Sequence, residues 1–229
     1  MGRQFIVNMP TGRAGLRTVL RQTWLRSRRS ISNLIVVACV VLFVLLVLLD
    51  LFGVASTRQS VSFLGLSYVG VFRRIWLHQF LTAPFVHDGL APLAFNMLSL
   101  WMLGPTVERR LGRGRYLLFT LLCAGSSMVG FLIFSWGSAA VMFGYSGVIF
   151  GILVAQAVLY PDNLLVIFAL FPLKMKHAAF LLGGIELYLT VAPQRDWLVH
   201  VAHLFGAVAA LVYFKGPAIL RSVRARIKV

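Results

Sequence analysis

Hydrophobic residues in this chain fall in long blocks rather than alternating with polar ones. Ile31 to Phe52 is almost unbroken apolar sequence, and further apolar stretches occupy about Phe85 to Leu103, Tyr116 to Trp136, Ser146 to Tyr160, Ala178 to Val191 and Leu198 to Phe214. Crossing the hydrocarbon core of a bilayer takes about 20 residues of helix. Inside that layer each backbone N–H and C=O must be bonded within the protein, which selects helices for such segments. The pattern therefore predicts an all-α polytopic membrane protein. Six spans form one membrane domain over residues 31–214, between basic segments at 1–30 and 215–229. Two stretches fail the test: Leu164 to Leu173 is apolar but too short to cross and is broken by Pro172, and Gly53 to Pro84 is too polar and too rich in glycine. The second is read as a long outer connection whose Trp76 and Phe80 rest at the headgroup level, which aromatic rings favour. Asp50, at the end of the first span, belongs at the same outer interface.

Charge orients the bundle. The net charge of +16 on its own would suit a nucleic-acid partner, but its distribution argues for a membrane. Seven arginines precede the first span, Arg109, Arg110, Arg113 and Arg115 follow the second, Lys174 and Lys176 precede the fifth, and Lys215, Arg221, Arg224, Arg226 and Lys228 follow the sixth. With six spans all of these fall on one face, leaving Arg58, Arg73, Arg74 and Arg195 for the other. Basic residues concentrate in short cytoplasmic segments, so both termini are expected in the cytoplasm, with a bacterial inner (plasma) membrane as the setting. The basic ends then serve orientation and contact with lipid headgroups, not nucleic acid. The arginine-rich first thirty residues read equally as a surface-lying amphipathic segment or as a flexible tail. Cys39 and Cys123 lie inside apolar runs, where a thiol behaves as a small hydrophobe, and imply neither a disulfide nor a metal site.

Polar residues inside the spans are few, and each asks for an explanation. Asn96, in Ala-Phe-Asn-Met-Leu of the second span, is expected to face the protein interior, where a helix–helix hydrogen bond would account for it. Gly104 to Gly114 reads as a short cytoplasmic turn in which Glu108 pairs with a neighbouring arginine. Glu186 in the fifth span is a functional candidate by its depth, against which a place at the outer edge or beside a wet cleft would account for it without a catalytic role. Ser146 stands in Gly-Tyr-Ser-Gly at the outer start of the fourth helix, where first-turn N–H groups are unpaired and carry a partial positive charge. Phe150 lies one turn below it on the same face. In the sixth span His203, Gly206 and Ala210 share one face, which suits close docking against Gly147 and Gly151.

Taken together, Gly144-Tyr145-Ser146-Gly147, Ala202-His203-Leu204-Phe205-Gly206, and His87 and Asn96 ahead of them resemble the rhomboid family of intramembrane serine proteases over about Phe80 to Phe214. The resemblance implies a compact six-helix bundle with a wet cavity open to the outer side, and substrates that are other membrane proteins cut within or beside their spans. It implies Ser146 as nucleophile, His203 as general base and Asn96 as a donor to the oxyanion, with Gly144, Gly147 and His87 in support and Phe150 packed on the histidine; no cofactor is implied. Two positions depart from the family pattern. A second histidine expected five residues after His87 is Pro92, and the Trp-Arg pair usual in the outer loop is His78-Gln79.

Other intramembrane chemistries fit less well. His200-Val-Ala-His203 lacks the glutamate of His-Glu-x-x-His, and no carboxylate pair lies in facing spans. No acidic residue in the sixth span is placed to orient His203, so a Ser-His dyad is expected. A rhomboid-like protein that binds membrane clients without cutting them is the alternative, with Pro92 in its favour. A small transporter would spread polar residues across both halves of the bundle, whereas here they gather toward the outer half.

Overall fold

The computed structural model describes residues 30–167, 171–192 and 196–227; most of the basic segment at 1–30 lies outside them. Long helices dominate: α1 (Ile31–Leu51), α5 (Leu90–Leu111), α6 (Arg113–Phe134), α7 (Ser146–Leu159), α8 (Met175–Val191) and α9 (Trp197–Ile227). Four of them, α1, α5, α6 and α9, are long and apolar enough to cross a membrane. The other two segments expected to span are shorter helices, α7 with 14 residues and α8 with 17. The architecture is an all-α bundle, with two small two-stranded sheets as local staples.

Helix α7 is the centre of the bundle. Gly147, Val148, Ile149, Gly151, Ile152, Leu153, Ala155 and Gln156 are all buried along it, against α9, α5, α6 and α8. Its length has a consequence for depth. Beyond its C-terminal end, Asp162 meets Lys174 and Lys176 at 3.4 and 2.9 Å, a polar pairing suited to a membrane surface. At 1.5 Å per residue α7 climbs about 21 Å of a hydrocarbon core about 30 Å thick. With that pairing at one membrane surface, Ser146, its first residue, falls short of the opposite surface.

Close approach of α7, α6 and α9 follows from small residues. A Cβ added at Gly206 would lie 2.8 Å from the backbone carbon of Gly147 and 2.7 Å from Oγ of Ser127, and one at Gly151 would lie 2.5 Å from Sγ of Cys123. The small face expected on the sixth span does dock on the glycines of α7.

Several expectations about connections are overturned. Helix α5 does not end at Gly104 but runs through Pro105 to Leu111, and Gly112, at φ 80°, is the joint before α6. Burial of Leu100, Leu103, Gly104, Val107 and Glu108 on one face holds this last part of α5 in helix despite the proline. Among the described residues Glu108 accordingly pairs with no arginine. Its carboxyl is buried and accepts from the Ser30 hydroxyl (2.6 Å), the Ile31 N–H (2.8 Å) and the Ser32 N–H and hydroxyl (3.2 and 3.1 Å), while the Ser32 Oγ accepts in turn from the Tyr116 hydroxyl (2.9 Å). It caps α1 from 78 residues away, satisfying first-turn donors that have no partner in their own helix.

The outer connection is also more ordered than its composition suggests. It contains α2 (Thr57–Leu64), β1 (Leu66–Ser67), α3 (Tyr68–Arg73), α4 (Gln79–Thr82) and a 3-10 turn at Ala83–Phe85. Asp50 ties its start to α1 by accepting from the Thr57 N–H at 3.0 Å. The segment 164–173, read as a merely broken apolar stretch, is a hairpin of β3 (Leu164–Ile167) and β4 (Phe171–Lys174). At the other end of the chain, the helical backbone of α9 continues through the expected tail to Ile227.

Replacing Gly206 by Leu should separate α7 from α9 and lower stability by about 3 kcal/mol or more, overpacking against backbone having no side chain to yield. Glu108→Ala should cost about 2 kcal/mol or more by leaving the start of α1 unsatisfied. Thermal unfolding in detergent measures both, and a midpoint equal to that of the wild type would count against the corresponding contact.

Candidate active site

Ser146 is delivered to its position by the strand β2 (Val141–Met142), which pairs with β1 in the register Leu66↔Met142 and Ser67↔Val141. The chain then turns through Gly144 at φ 95°, a left-handed conformation that favours glycine. The Gly144 N–H donates to Ala83 O at 2.9 Å, fastening this turn to the outer connection. Tyr145 plugs the ring below the turn into the core, almost fully buried, and α7 begins at the next residue.

His203 comes to Ser146 from α9. Its Nε2 lies 2.7 Å from the Ser146 Oγ, and its ring stacks on Phe150 with centroids 4.8 Å apart and planes 17° from parallel. The stack fixes the plane in which the imidazole lies, and the helix docking described above fixes its depth. Asn96 and His87 stand on the other side of the turn. A Cβ at Gly144 would lie 3.6 Å from Nδ2 of Asn96 and 3.8 Å from Nε2 of His87, so both side chains border the serine turn. The two also meet each other: Asn96 Nδ2 donates to His87 Nε2 at 3.1 Å, and His87 Nδ1 donates to Phe85 O at 3.2 Å. Gly147, the next residue after Ser146, is covered by Ser127 on α6. Ser127 itself carried no signal in sequence beyond lying in a run of small residues, Gly125-Ser126-Ser127.

His87 precedes α5, and its imidazole is almost completely buried. Burial holds it below the usual histidine value of 6.5, outweighing the Phe85 carbonyl and Asp88, which act in the opposite sense. A neutral ring is what the contact with Asn96 requires, because only a neutral imidazole has a nitrogen free to accept. Pro92, at the position where the family pattern has its second histidine, occupies the first turn of α5.

One residue expected to stand outside the chemistry is in its midst. Glu186 on α8 is buried, with Oε2 3.0 Å from Nδ1 of His203 and 2.7 Å from Nδ1 of His200. The acidic side chain that meets His203 lies on α8, not on α9. Glu186, His200 and His203 gather three donor atoms within 4.8 Å of one another. Separations of 2.7 and 3.0 Å are those of hydrogen bonds, whereas two ligands each about 2.0–2.1 Å from a tetrahedral zinc ion would stand about 3.4 Å apart. A cavity of about 20 Å³, the room one water needs, opens beside the serine and is lined in part by Ser127, Gly144, Ser146, Gly147 and His203.

A hydroxyl at a sunken helix start, an imidazole acceptor in contact with it and an amide beside the same turn define a helical membrane protein built like an intramembrane hydrolase. A family model of the rhomboid domain matches residues 74–216. The chain belongs to the rhomboid family and is an integral, multi-pass membrane protein. It is 34% identical over 106 residues to rhomboid protease GluP of Bacillus subtilis (strain 168), a match covering 46% of this chain and 20% of that protein. With rhomboid-like protein 15 of Arabidopsis thaliana it shares 26% identity over 216 residues, 89% of this chain and 50% of that protein. The chain thus spans one fifth to one half of the length of these curated relatives.

The burial of His87 sets a pH dependence. Its folded-state value is depressed, so its contribution to stability is complete above about pH 6.5 and declines as acid protonates the unfolded chain first, down to the folded value. The thermal midpoint is expected to fall on acidification below about 6.5. In His87→Gln, which keeps an acceptor for Asn96 but cannot titrate, that part of the fall should vanish; an unchanged acid profile would refute the assignment.

Proposed function

We propose that the protein is an intramembrane serine protease that cuts peptide bonds within or beside the transmembrane segments of other membrane proteins. The observation that carries this reading is the 2.7 Å contact between Ser146 Oγ and His203 Nε2 at the sunken start of α7. A serine hydroxyl is a weak nucleophile until a base within hydrogen-bond reach takes its proton. His203 is within that reach, with its ring held flat against Phe150.

The reaction follows in order. Ser146 Oγ attacks the carbonyl carbon as its proton passes to Nε2 of His203. The negative charge that gathers on the carbonyl oxygen is met by N–H groups at the start of α7 and by the Asn96 amide, one of whose N–H bonds is already held by His87. His203 returns the proton to the leaving amine, and a water then resolves the acyl-enzyme by the same steps. The cavity beside the serine offers space for that water. Gly144 supports the site through a turn that other residues adopt with strain, and Gly147 through the close approach of α6.

The membrane setting supports the choice of substrate. A site about a quarter to a third of the way down from the outer surface meets segments that are themselves in the bilayer. Both termini are read as cytoplasmic from the arginine and lysine distribution. The second reading, a rhomboid-like protein that binds membrane clients without cutting them, has Pro92 in its favour, since loss of one oxyanion donor costs on the order of a hundredfold in rate.

Purified protein in vesicles with a single-span substrate separates the two. Cleavage should be lost by about a thousandfold or more in both Ser146→Ala and His203→Ala, and a fluorophosphonate probe should label the wild type but not Ser146→Ala. Binding of the substrate with no cleavage and no labelling would favour the non-catalytic reading.

A further inference from the structure

Helix α8 buries only Met175, Ala178 and Glu186, while Ile185, Leu187, Tyr188 and Val191 beside the glutamate are exposed. The single inward anchor of its outer half is thus a carboxyl group. At that depth such a group is costly unless something receives it, and what receives it is α9, through His203 and His200. A carboxylate oxygen only accepts hydrogen bonds, so both imidazoles present Nδ1–H to Glu186 Oε2. For His203 this decides the chemistry of the other ring nitrogen. With the proton on Nδ1, Nε2 keeps its lone pair, and Nε2 is the atom 2.7 Å from Ser146 Oγ. Phe150 sets the plane of the ring, and Glu186 sets which nitrogen is basic.

We propose that Glu186 is a positioning residue that completes a Ser146–His203–Glu186 relay, holding His203 in the tautomer that accepts the serine proton and stabilising the imidazolium that results. His200, which donates to the same oxygen, holds the carboxylate in place. The inference rests on the protease reading above and replaces its two-residue site by one of three. As the Ser146 Oγ–H bond breaks and the Oγ–C bond forms, the proton goes to Nε2 of His203, leaving a positive ring whose Nδ1–H faces Glu186 at 3.0 Å. As the C–N bond of the substrate breaks, the same proton passes to the leaving nitrogen and the ring is neutral again. The carboxylate gains and loses no proton in either step. Its attraction for the ring is strong in a water-poor site and arises only after the proton has moved, so it lowers the barrier without tightening substrate binding.

A purely mechanical role, a tie between α8 and α9, would use the same contacts and differs in what it affects. Full-length protein in vesicles, with a single-span substrate, distinguishes the two. Glu186→Gln keeps the size of the side chain and loses the charge; kcat is expected to fall on the order of a hundredfold or more, with KM changed less than about twofold and the thermal midpoint near that of the wild type. Glu186→Asp, shorter but charged, should retain clearly more kcat than Glu186→Gln. His200→Asn, which touches no reacting atom, should lose no more than about tenfold. Wild-type kcat in Glu186→Gln, no advantage of Asp over Gln, or a loss seen only in KM and thermal midpoint would overturn the relay. If the wild type itself neither cleaves nor labels with a fluorophosphonate, the protease reading fails and takes this inference with it; if the wild type cleaves and Glu186→Gln cleaves equally, the relay alone fails.

Discussion

Contact between the backbones of α7 and α9 is the constraint on which the rest of this molecule depends. Helices with ordinary side chains at their interface stand 8–10 Å apart, and a Cβ at position 206 would already collide with the backbone of Gly147. Gly147 and Gly206 remove the side chains where the helices cross, and Ser127 and Cys123 on α6 fill the remaining space. The hydrophobic effect offers helices little reason to associate inside lipid, so packing of this closeness, with the dispersion contacts it permits, is the main source of cohesion. The same feature that holds the bundle together therefore brings the hydroxyl and the imidazole into contact.

Several polar side chains within the bundle are satisfied by partners on other elements, while Thr120, Ser127 and Thr190 bond back to carbonyls of their own helices. Gln156 on α7 donates to Leu103 O on α5 at 2.8 Å, Asn96 donates to His87, and the two buried carboxyl groups are received by whole helix ends or side-chain pairs. The two carboxyls divide the labour of the molecule. Glu108 meets backbone N–H groups and hydroxyls at the start of α1, partners that do not titrate, and its effect is to fix that helix. Glu186 meets two imidazoles where the end of α8 faces the start of α9.

The outer connection joins these parts. His78 and Gln79 stand where the family pattern has tryptophan and arginine, yet they hold the loop by polar contacts of their own: His78 Nε2 to Phe63 O at 2.9 Å, Gln79 Nε2 to Phe63 O at 3.2 Å, and Ser67 N–H to Gln79 Oε1 at 3.1 Å. Ser67 belongs to β1, which pairs with β2 just before the serine turn. A departure in residue type at 78–79 thus preserves a mechanical path from the loop to Ser146. In the same way His87, reaching Asn96 from the end of this connection, offers an imidazole partner to that amide although position 92 is proline.

Apolar block length was enough by itself to determine a helical membrane bundle, because within lipid a backbone has no other way to satisfy its polar groups. The glycine and histidine motifs were also legible, since one-turn spacing puts Gly206 and His203 on one face irrespective of the neighbours that face meets. Helix ends were less so: Gly104-Pro105 reads as a stop, and only burial of the α5 face beyond it keeps the helix going to Leu111. The partners of Glu108 and Glu186 were not legible in the sequence, for a shared reason. The partner of a buried carboxyl is chosen by which helices are adjacent and how they are rotated, and neither Ser30 from Glu108 nor His203 from Glu186 is announced by spacing along the chain. The sequence determined which residues had to face inward; tertiary packing alone decided what each of them would find there.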